Sequence, residues 1–200
     1  SRTVLKPVEE GLKAIGVAPD DVSDVVITHL HYDHAGNHDL FPRARFHLQD
    51  CEIAYATGRC MCDTAFRMPF EADDVTAMVR KVFADRVTFH DGDDTIAPGV
   101  TVHHIGGHSK GLQSVRVETG RGAVVLASDA SHLYAHIETG RVFPIVYDPK
   151  AVVAGYERLK TLAASEHHIV PGHDPKVLER YPAPSPALQG WVARLDLDPR

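Results

Sequence analysis

The stretch THLHYDHAGN (residues 28–37) decides how this sequence is interpreted. Three histidines and one aspartate stand within the six positions from His29 to His34. Imidazole nitrogens and carboxylate oxygens are common ligands of zinc and similar ions, and a tight site needs at least three protein ligands. Alternation places His29 and His31 on one side, so a loop leaving a strand can present both to one ion. Asp33 and His34 would then serve a second ion beside it.

Further candidate ligands follow other apolar segments of the chain. His108 in GGHSKG, Asp129 in LASDAS and His173 in PGHDP each stand where a short predicted strand stops. Strand ends that carry ligands can converge on one rim of a sheet, which is where sites in α/β proteins are expected. Glycines before His108 and His173 permit tight turns. Loop histidines bonded to backbone are the plain alternative, but that explanation suits a single histidine better than this set.

The composition indicates an ordinary globular chain. Its 200 residues are 44% hydrophobic and 24% charged, which predicts a single domain over residues 1–200. The net charge of −6 comes without a basic patch, so nucleic acid is not expected as a partner. No apolar run approaches about 18 residues, and no membrane span is predicted. Cys51, Cys60 and Cys62 do not suggest a disulfide framework, which favours a reducing, cytoplasmic location.

Local patterns alternate between helices and strands. Helices are predicted over residues 5–17, 51–57, 71–84 and 149–165, and strands over 44–49, 87–90, 100–105, 114–119, 123–128 and 167–170. Residues 21–28 predict a turn followed by a short, fully apolar strand. Strands that are apolar on both faces indicate burial between layers, as in α/β or layered α+β domains. Residues 58–70 show no clear period and predict a long loop.

The ligand series carries a family resemblance. The hexapeptide His29-Leu30-His31-Tyr32-Asp33-His34, followed by His108, Asp129 and His173, resembles the HxHxDH…H…D…H pattern of the metallo-β-lactamase superfamily. The wider context, with LFPRARFHLQD, HHIGGHSKGLQ, VVLASDASHLY and VPGHDP, is similar to the N-acyl homoserine lactonase family. The resemblance implies an α/β (α+β) fold, the αβ/βα sandwich, with a dinuclear metal site on one edge. In this chain the sandwich is expected to lack the first N-terminal strands.

The resemblance also implies a role for each ligand. The first metal would be held by His29, His31 and His108, the second by Asp33, His34 and His173, and Asp129 would bridge both. Zinc is the expected metal, with manganese, iron and cobalt as alternatives.

Three residues are candidates for catalysis: Asp33, which is also an expected ligand, and two residues outside the ligand series. Asp33 would pass a proton to the leaving alkoxide as well as bind metal. Several lactonases of the family place a substrate-contacting tyrosine three positions after the bridging aspartate. Here that position is His132, and the nearest tyrosine is Tyr134. Either residue would donate to the developing oxyanion, and the sequence does not choose between them.

The predicted loop 58–70 is the segment closest in character to a substrate groove. Met61, Phe66, Met68 and Phe70 either line an acyl-chain groove or pack beneath the loop, and packing is slightly favoured. The Cys-Met-Cys element of the same loop lacks a partner pair, so ordinary loop cysteines are favoured over a zinc clip.

The resemblance implies a metal-dependent hydrolase that acts on ester bonds and takes a small-molecule lactone, with N-acyl homoserine lactones as the family's substrates (quorum quenching). The bridging aspartate argues against β-lactam hydrolysis, because true β-lactamases carry cysteine or serine near that position. A thioesterase of glyoxalase II type, a different lactonase, and a non-hydrolytic or redox protein remain as alternatives. The short proline-rich tail after His173 weakens the thioesterase option. The sequence leaves a homodimer open.

Overall fold

A computed structural model describes residues 5–200. The strands are β1 (Asp24–Val26), β2 (Arg45–Gln49), β3 (Val87–His90), β4 (Asp94–Ala97), β5 (Val100–His104), β6 (Gln113–Thr119), β7 (Gly122–Ser128) and β8 (Ile169–Pro171). The helices are α1 (Val8–Ala14), α2 (Tyr32–Ala35), α3 (Asp50–Ala56), α4 (Thr64–Arg67), α5 (Ala72–Phe83), α6 (Tyr134–Thr139), α7 (Pro149–Leu162) and α8 (Lys176–Arg180). None of the helices within this range is both long and apolar enough to cross a membrane.

The strands form two sheets. Strands β1, β2 and β3 lie side by side in that order and are parallel, with Phe46 of β2 paired to Val25 on one side and Val87 on the other. Strands β4 to β8 form the second sheet in sequence order, antiparallel except for the parallel pair β7 and β8. Parallel neighbours need a crossover connection, and α7 supplies one between β7 and β8.

Each sheet packs against its own helices. One buried cluster joins Phe46 and Leu48 of β2 to Met78 of α5. The other joins β7 and β8 to α7, with Leu159 fully buried among the strand residues. Burial of apolar side chains between sheet and helix is the main stabilising contribution in such layers. The result is the mixed α/β layering that the sequence predicts.

A pair of buried glutamines links the two sheets. Gln49 at the end of β2 donates from Nε2 to Oε1 of Gln113 at the start of β6, at 3.0 Å. Gln113 in turn donates to the carbonyls of Ile27 and His47, at 2.9 and 3.0 Å. Its backbone N–H donates to the carbonyl of Thr28 at 2.9 Å. These bonds fix the end of the first sheet, where the HxHxDH stretch begins, against the second sheet.

The main helices and strands lie where the sequence predicts them, but residues 58–70 do not form one long loop. The segment contains a 3₁₀ helix, Arg59–Cys62, and then α4. Helix α4 begins after Asp63, whose carboxylate caps it by accepting a hydrogen bond from the N–H of Ala65 at 2.9 Å. The prediction of a loop did not include this cap. The three cysteines are free, and no metal-capable group within residues 5–200 includes one.

Glu52 is a fully buried acid that ties two distant loops together. Its Oε1 accepts from the backbone N–H of Leu30 at 2.9 Å, and its Oε2 accepts from the N–H of Gly111 at 2.7 Å. The hydroxyl of Ser109 lies 2.7 Å from both carboxylate oxygens. Burial raises the pKa of Glu52, and these three donors oppose that effect by favouring the ionised form. The pair of loops is therefore fixed by one side chain.

Replacing Glu52 with glutamine is expected to lower the free energy of unfolding by about 2–4 kcal/mol, because an NH₂ group would face at least one of these buried donors. Urea unfolding of the variant, followed by circular dichroism, measures the effect. Glu179→Gln on the exposed face of α8 is the matched control, expected within about 0.5 kcal/mol of wild type. Equal stability of the two variants would show that the carboxylate does not brace the loops.

Candidate metal centre

The HxHxDH stretch bends at the end of β1 and becomes helical after its second histidine. His29 and His31 lie in the extended segment, and His31 has φ −66° and ψ 150° at the N-cap of α2. Asp33 and His34 lie inside α2. The change from strand to helix brings Asp33 and His34 to the side of His173. His29 and His34 remain neighbours, with ring centroids 4.1 Å apart, and form a further metal-capable group with Asp129.

Tight backbone turns bring the remaining candidate ligands to the same place. His108 follows Gly107, whose φ is +85° and where a Cβ atom would stand 2.7 Å from the backbone nitrogen of Val152. Asp129 follows Ser128, a non-glycine residue with φ +49° at the end of β7. A left-handed conformation at such a residue is uncommon and is found often at functional sites.

The carboxylate of Asp129 stands between two sets of histidines. Its Oδ2 lies 3.2 Å from Nε2 of His108 and 3.9 Å from Nε2 of His29. Its Oδ1 lies 3.1 Å from Nε2 of His173 and 3.2 Å from Nε2 of His34. One oxygen therefore faces each set.

The two sets are also compact internally. Nδ1 of His31 lies 2.9 Å from Nε2 of His108, and His29 completes a group whose ligand atoms all lie within 4.8 Å of one another. In the second set, Oδ2 of Asp33 lies 3.7 Å from Nε2 of His34 and 3.8 Å from Nε2 of His173. Both sets have the composition and spacing to hold a metal ion.

The donor atoms fit a metal better than they fit one another. Nε2 of His29 is buried without a hydrogen-bond partner within residues 5–200, and the buried Oδ1 of Asp129 has close imidazole nitrogens but no hydrogen bond of normal geometry there. Buried polar atoms normally have partners, and those without one call for an explanation such as an ion. Histidine nitrogens face both oxygens of the Asp129 carboxylate, and some of these buried atoms make no hydrogen bond. A bound cation would satisfy this arrangement.

The electrostatics keep Asp129 and the histidines of the first set in the forms that bind metal. Burial lowers the pKa of His31 to about 3 and that of His108 to about 4. Burial also lowers the pKa of His29 well below its usual value. For Asp129, burial raises the pKa, but hydrogen bonds from His132 and other histidines outweigh it and hold the carboxyl ionised. Neutral imidazole and ionised carboxylate are the metal-binding states, so the first set needs little proton release to bind an ion at neutral pH. In the second set, the hydrogen bond to Asp129 raises the pKa of His173, which favours its protonated form when no ion is bound.

All seven residues expected as ligands therefore come together, but the two candidate oxyanion donors separate. Nε2 of His132 lies 2.9 Å from Oδ2 of Asp129. Tyr134 is the first residue of α6, and its buried ring lies under the guanidinium of Arg180, 3.8 Å from the ring centre. It lines a separate cavity of about 110 Å³ beside Glu138 and His167, which contains none of the seven.

Sequence reasoning missed a polar pair behind the ligands. The hydroxyls of Thr28 and Ser128 are 2.8 Å apart, and Oγ1 of Thr28 lies 3.2 Å from Nδ1 of His29. A partner on the far ring nitrogen fixes the tautomer of a ligating histidine. The threonine directly before the first histidine was the available signal, but its partner comes from a strand one hundred residues away.

An apolar cavity opens beside the first set. It has a volume of about 410 Å³, is flanked by His31 and His108, and is lined by apolar side chains from three segments: Tyr55, Ala65, Phe66, Met68, Pro69, Ile145, Val146 and Tyr147. Of the four residues expected to line a groove or pack, Phe66 and Met68 line this cavity. Met61 and Phe70 line a different one.

Comparison with known proteins agrees with this geometry. The family model of the metallo-beta-lactamase superfamily matches residues 2–178. The N-acyl homoserine lactonase of Bacillus thuringiensis is 29% identical over 167 residues, which are 82% of this chain and 60% of that protein. The N-acyl homoserine lactonase AiiB of Agrobacterium fabrum is 34% identical over 127 residues, which are 62% of this chain and 45% of that protein.

Solved structures extend the comparison. An N-acyl homoserine lactone hydrolase, with the product N-hexanoyl-L-homoserine bound at its catalytic metal centre, superposes with a TM-score of 0.68 at 28% identity, covering 84% of this chain and 62% of that one. The dizinc lactonase AidC superposes with a TM-score of 0.65 at 18% identity, covering 84% and 63%, and shows the shared fold. The chain spans about 60% of the length of the relatives named first. With a match over residues 2–178 and both candidate ligand sets in place, this chain belongs to the metallo-β-lactamase superfamily.

Proposed function

We propose that this chain carries the dinuclear metal centre of a hydrolase that opens lactone rings, with N-acyl homoserine lactones as the substrate class. The observation that carries the proposal is the position of Asp129, whose two oxygens face two ligand sets beside an apolar cavity. Similarity to proteins named N-acyl homoserine lactonase supports the substrate class.

Each ligand set has its own place in the proposed centre. One ion would be held by His29, His31, His108 and Oδ2 of Asp129, and the other by Asp33, His34, His173 and Oδ1 of Asp129. Zinc is the simplest occupant of such nitrogen and oxygen donors, with manganese, iron and cobalt as alternatives. When bound, two such ions supply Lewis acidity and an activated water at neutral pH.

The chain's own residues position the substrate and move one proton. A lactone carbonyl would lie over the first set, with its acyl chain in the apolar cavity beside His31 and His108. Water adds to the carbonyl carbon, the bond to the ring oxygen breaks, and the water's proton passes to that oxygen, which leaves a hydroxy acid. Asp33 is half-exposed at 40%, and its short distances to His34 and His173 both use Oδ2. Its Oδ1 therefore remains to hold and transfer that proton.

The two residues expected near the oxyanion are not equivalent. Only His132 lies at the ligand cluster, in a cavity of about 330 Å³ that it shares with Asp33, Asp129 and His173. Tyr134 has no part in the proposed reaction, because its ring is buried beneath Arg180.

The substrate proposal predicts ring opening of acyl homoserine lactones by the full-length, metal-loaded protein. Mass spectrometry would detect the gain of one water by the substrate. A thioester of glutathione and an unrelated lactone belong in the same assay, because a thioesterase or a different lactonase shares this metal chemistry. Cleavage of only the thioester would contradict the proposal while retaining the metal centre.

The bridging proposal predicts that Asp129→Asn removes at least one ion per chain and lowers kcat by more than a hundredfold. The reason is that the carboxylate charge is shared by both ligand sets, and an amide offers only one weak acceptor to them. Metal content by plasma mass spectrometry tests the first part independently of any substrate. Asp198→Asn, at a side chain that is 84% exposed, is the control and should retain both ions.

The cavity proposal predicts that Phe66→Ala lowers kcat/KM for long acyl chains by about 5–30-fold relative to short ones, since about 1–2 kcal/mol of apolar contact is lost. Phe83→Ala on α5, where the ring is 88% exposed, is the matched control. Equal losses for long and short chains would show that the cavity does not bind the acyl chain.

A further inference from the structure

His132 stands closer to the bridging carboxylate than any of the expected ligands. Its Nε2 lies 2.9 Å from Oδ2 of Asp129, the oxygen that also faces His108 and His29. The ligand atoms of His108, Asp129 and His132 lie within 4.8 Å of one another and form a metal-capable group of their own. This group shares His108 with the first ligand set and contains Asp129, which faces both sets.

The distances match those between ligands of one ion. Two ligand atoms that each lie about 2.1 Å from a metal are about 3.0–3.4 Å apart when the angle between them is 90–110°. The distances from Oδ2 to Nε2 of His132 and His108 are 2.9 and 3.2 Å. The imidazole of His132 therefore needs no displacement of more than a few tenths of an ångström to share an ion with these atoms.

Packing holds the His132 ring in this orientation. It stacks on the buried ring of Phe143, with centroids 3.7 Å apart and planes 25° apart. The rings of His173 and His108 stand edge-on to it at 4.9 and 5.3 Å. A ring fixed on its face and at its edges loses little further freedom on binding a metal.

A simple hydrogen bond from His132 to Asp129 is the competing explanation. That explanation leaves Nε2 of His29, 3.9 Å from the same oxygen, buried and without a hydrogen-bond partner within residues 5–200. An ion between these atoms satisfies all of them. Neutral imidazole is also a common ligand of divalent metals.

We propose that His132 is a further protein ligand of the ion held by His29, His31, His108 and Asp129; this rests on the proposed metal centre. Five protein donors exceed the four of a tetrahedral zinc site. The site of this ion is therefore expected to accept an ion of higher coordination number, such as Fe²⁺ or Co²⁺, more readily than the same site would without His132.

Cobalt supplies a test that needs no substrate. In the Co²⁺-loaded full-length protein, each ligating imidazole has one ring N–H, and its proton signal is shifted far outside the normal range by the paramagnetic ion. His132→Phe keeps the stacking on Phe143 but removes the nitrogen. It is expected to remove one of these shifted, exchangeable signals and to weaken binding of one Co²⁺ by at least tenfold. The same number of shifted signals in both proteins would overturn the proposal.

His136→Gln is the matched control. His136 also lies against Phe143, at 5.1 Å between centroids, but it belongs to no metal-capable group within residues 5–200. Glutamine retains an acceptor for the Leu133 N–H that Nδ1 of His136 now accepts. This variant should keep every shifted signal.

His132→Gly with added imidazole keeps the proposal testable if the phenylalanine variant loses its metal. Recovery of the missing shifted signal with ¹⁵N-labelled imidazole would support ligation by His132. A Co²⁺-loaded glycine variant that never binds the imidazole would count against it. Because no lactone is present, failure here leaves the proposed hydrolysis untouched, and failure of the hydrolysis assay leaves this result untouched.

Discussion

The candidate site depends on one buried carboxylate that binds no metal. Glu52 accepts hydrogen bonds from Leu30, between the first two histidines, and from Ser109, directly after His108. These loops are almost eighty residues apart in the sequence, and each would otherwise present unpaired N–H or O–H groups to the interior. A buried charge is costly, but a full set of donors offsets that cost. The relative position of His29, His31 and His108 is thus set from behind, before any ion binds.

Asp129 has the complementary role in front. Burial lowers the pKa values of His29, His31 and His108, so on the side of the first set the ionised Asp129 faces neutral imidazoles. The chain accepts backbone strain to place it, with φ +49° at Ser128 and a contact that leaves room only for glycine at position 172, where a Cβ atom would stand 2.8 Å from Oδ1. Strain of this kind persists where the surrounding structure fixes it, as at ligand clamps. An ion in each ligand set would give these buried donor atoms the partners that they lack.

The sequence predicts most of the fold because the patterns that define it are local. Apolar strands, the amphipathic helix α5 and ligands at strand ends are all visible within short windows. What escaped prediction depends on distant partners. Glu52 lies near the start of the helix predicted over residues 51–57, where an acid is ordinary, and only folding brings the two ligand loops to it. The orientation of Tyr134 was equally hidden, because it depends on Arg180 across the fold. A smaller error concerns Asp63, which caps a helix inside a segment that was predicted as a loop because it has no clear period.

In the proposed enzyme, the residues that bind metal and the residues that line the apolar cavity lie largely in different parts of the fold. The proposed ligands lie on loops that follow strands and in α2, and buried hydrogen bonds hold these loops in place, so their geometry tolerates little change. The apolar cavity is lined by α4, the segment after it and the stretch from Ile145 to Tyr147, where Met68 is 61% and Ile145 49% exposed. Substitutions there change few buried contacts and leave the ligands in place. Only His31 and His108 belong to both regions. Metal binding and the choice of acyl chain can therefore vary almost independently in the proposed enzyme. A change at His132 would act on the first of these, because it would alter the proposed set of metal ligands.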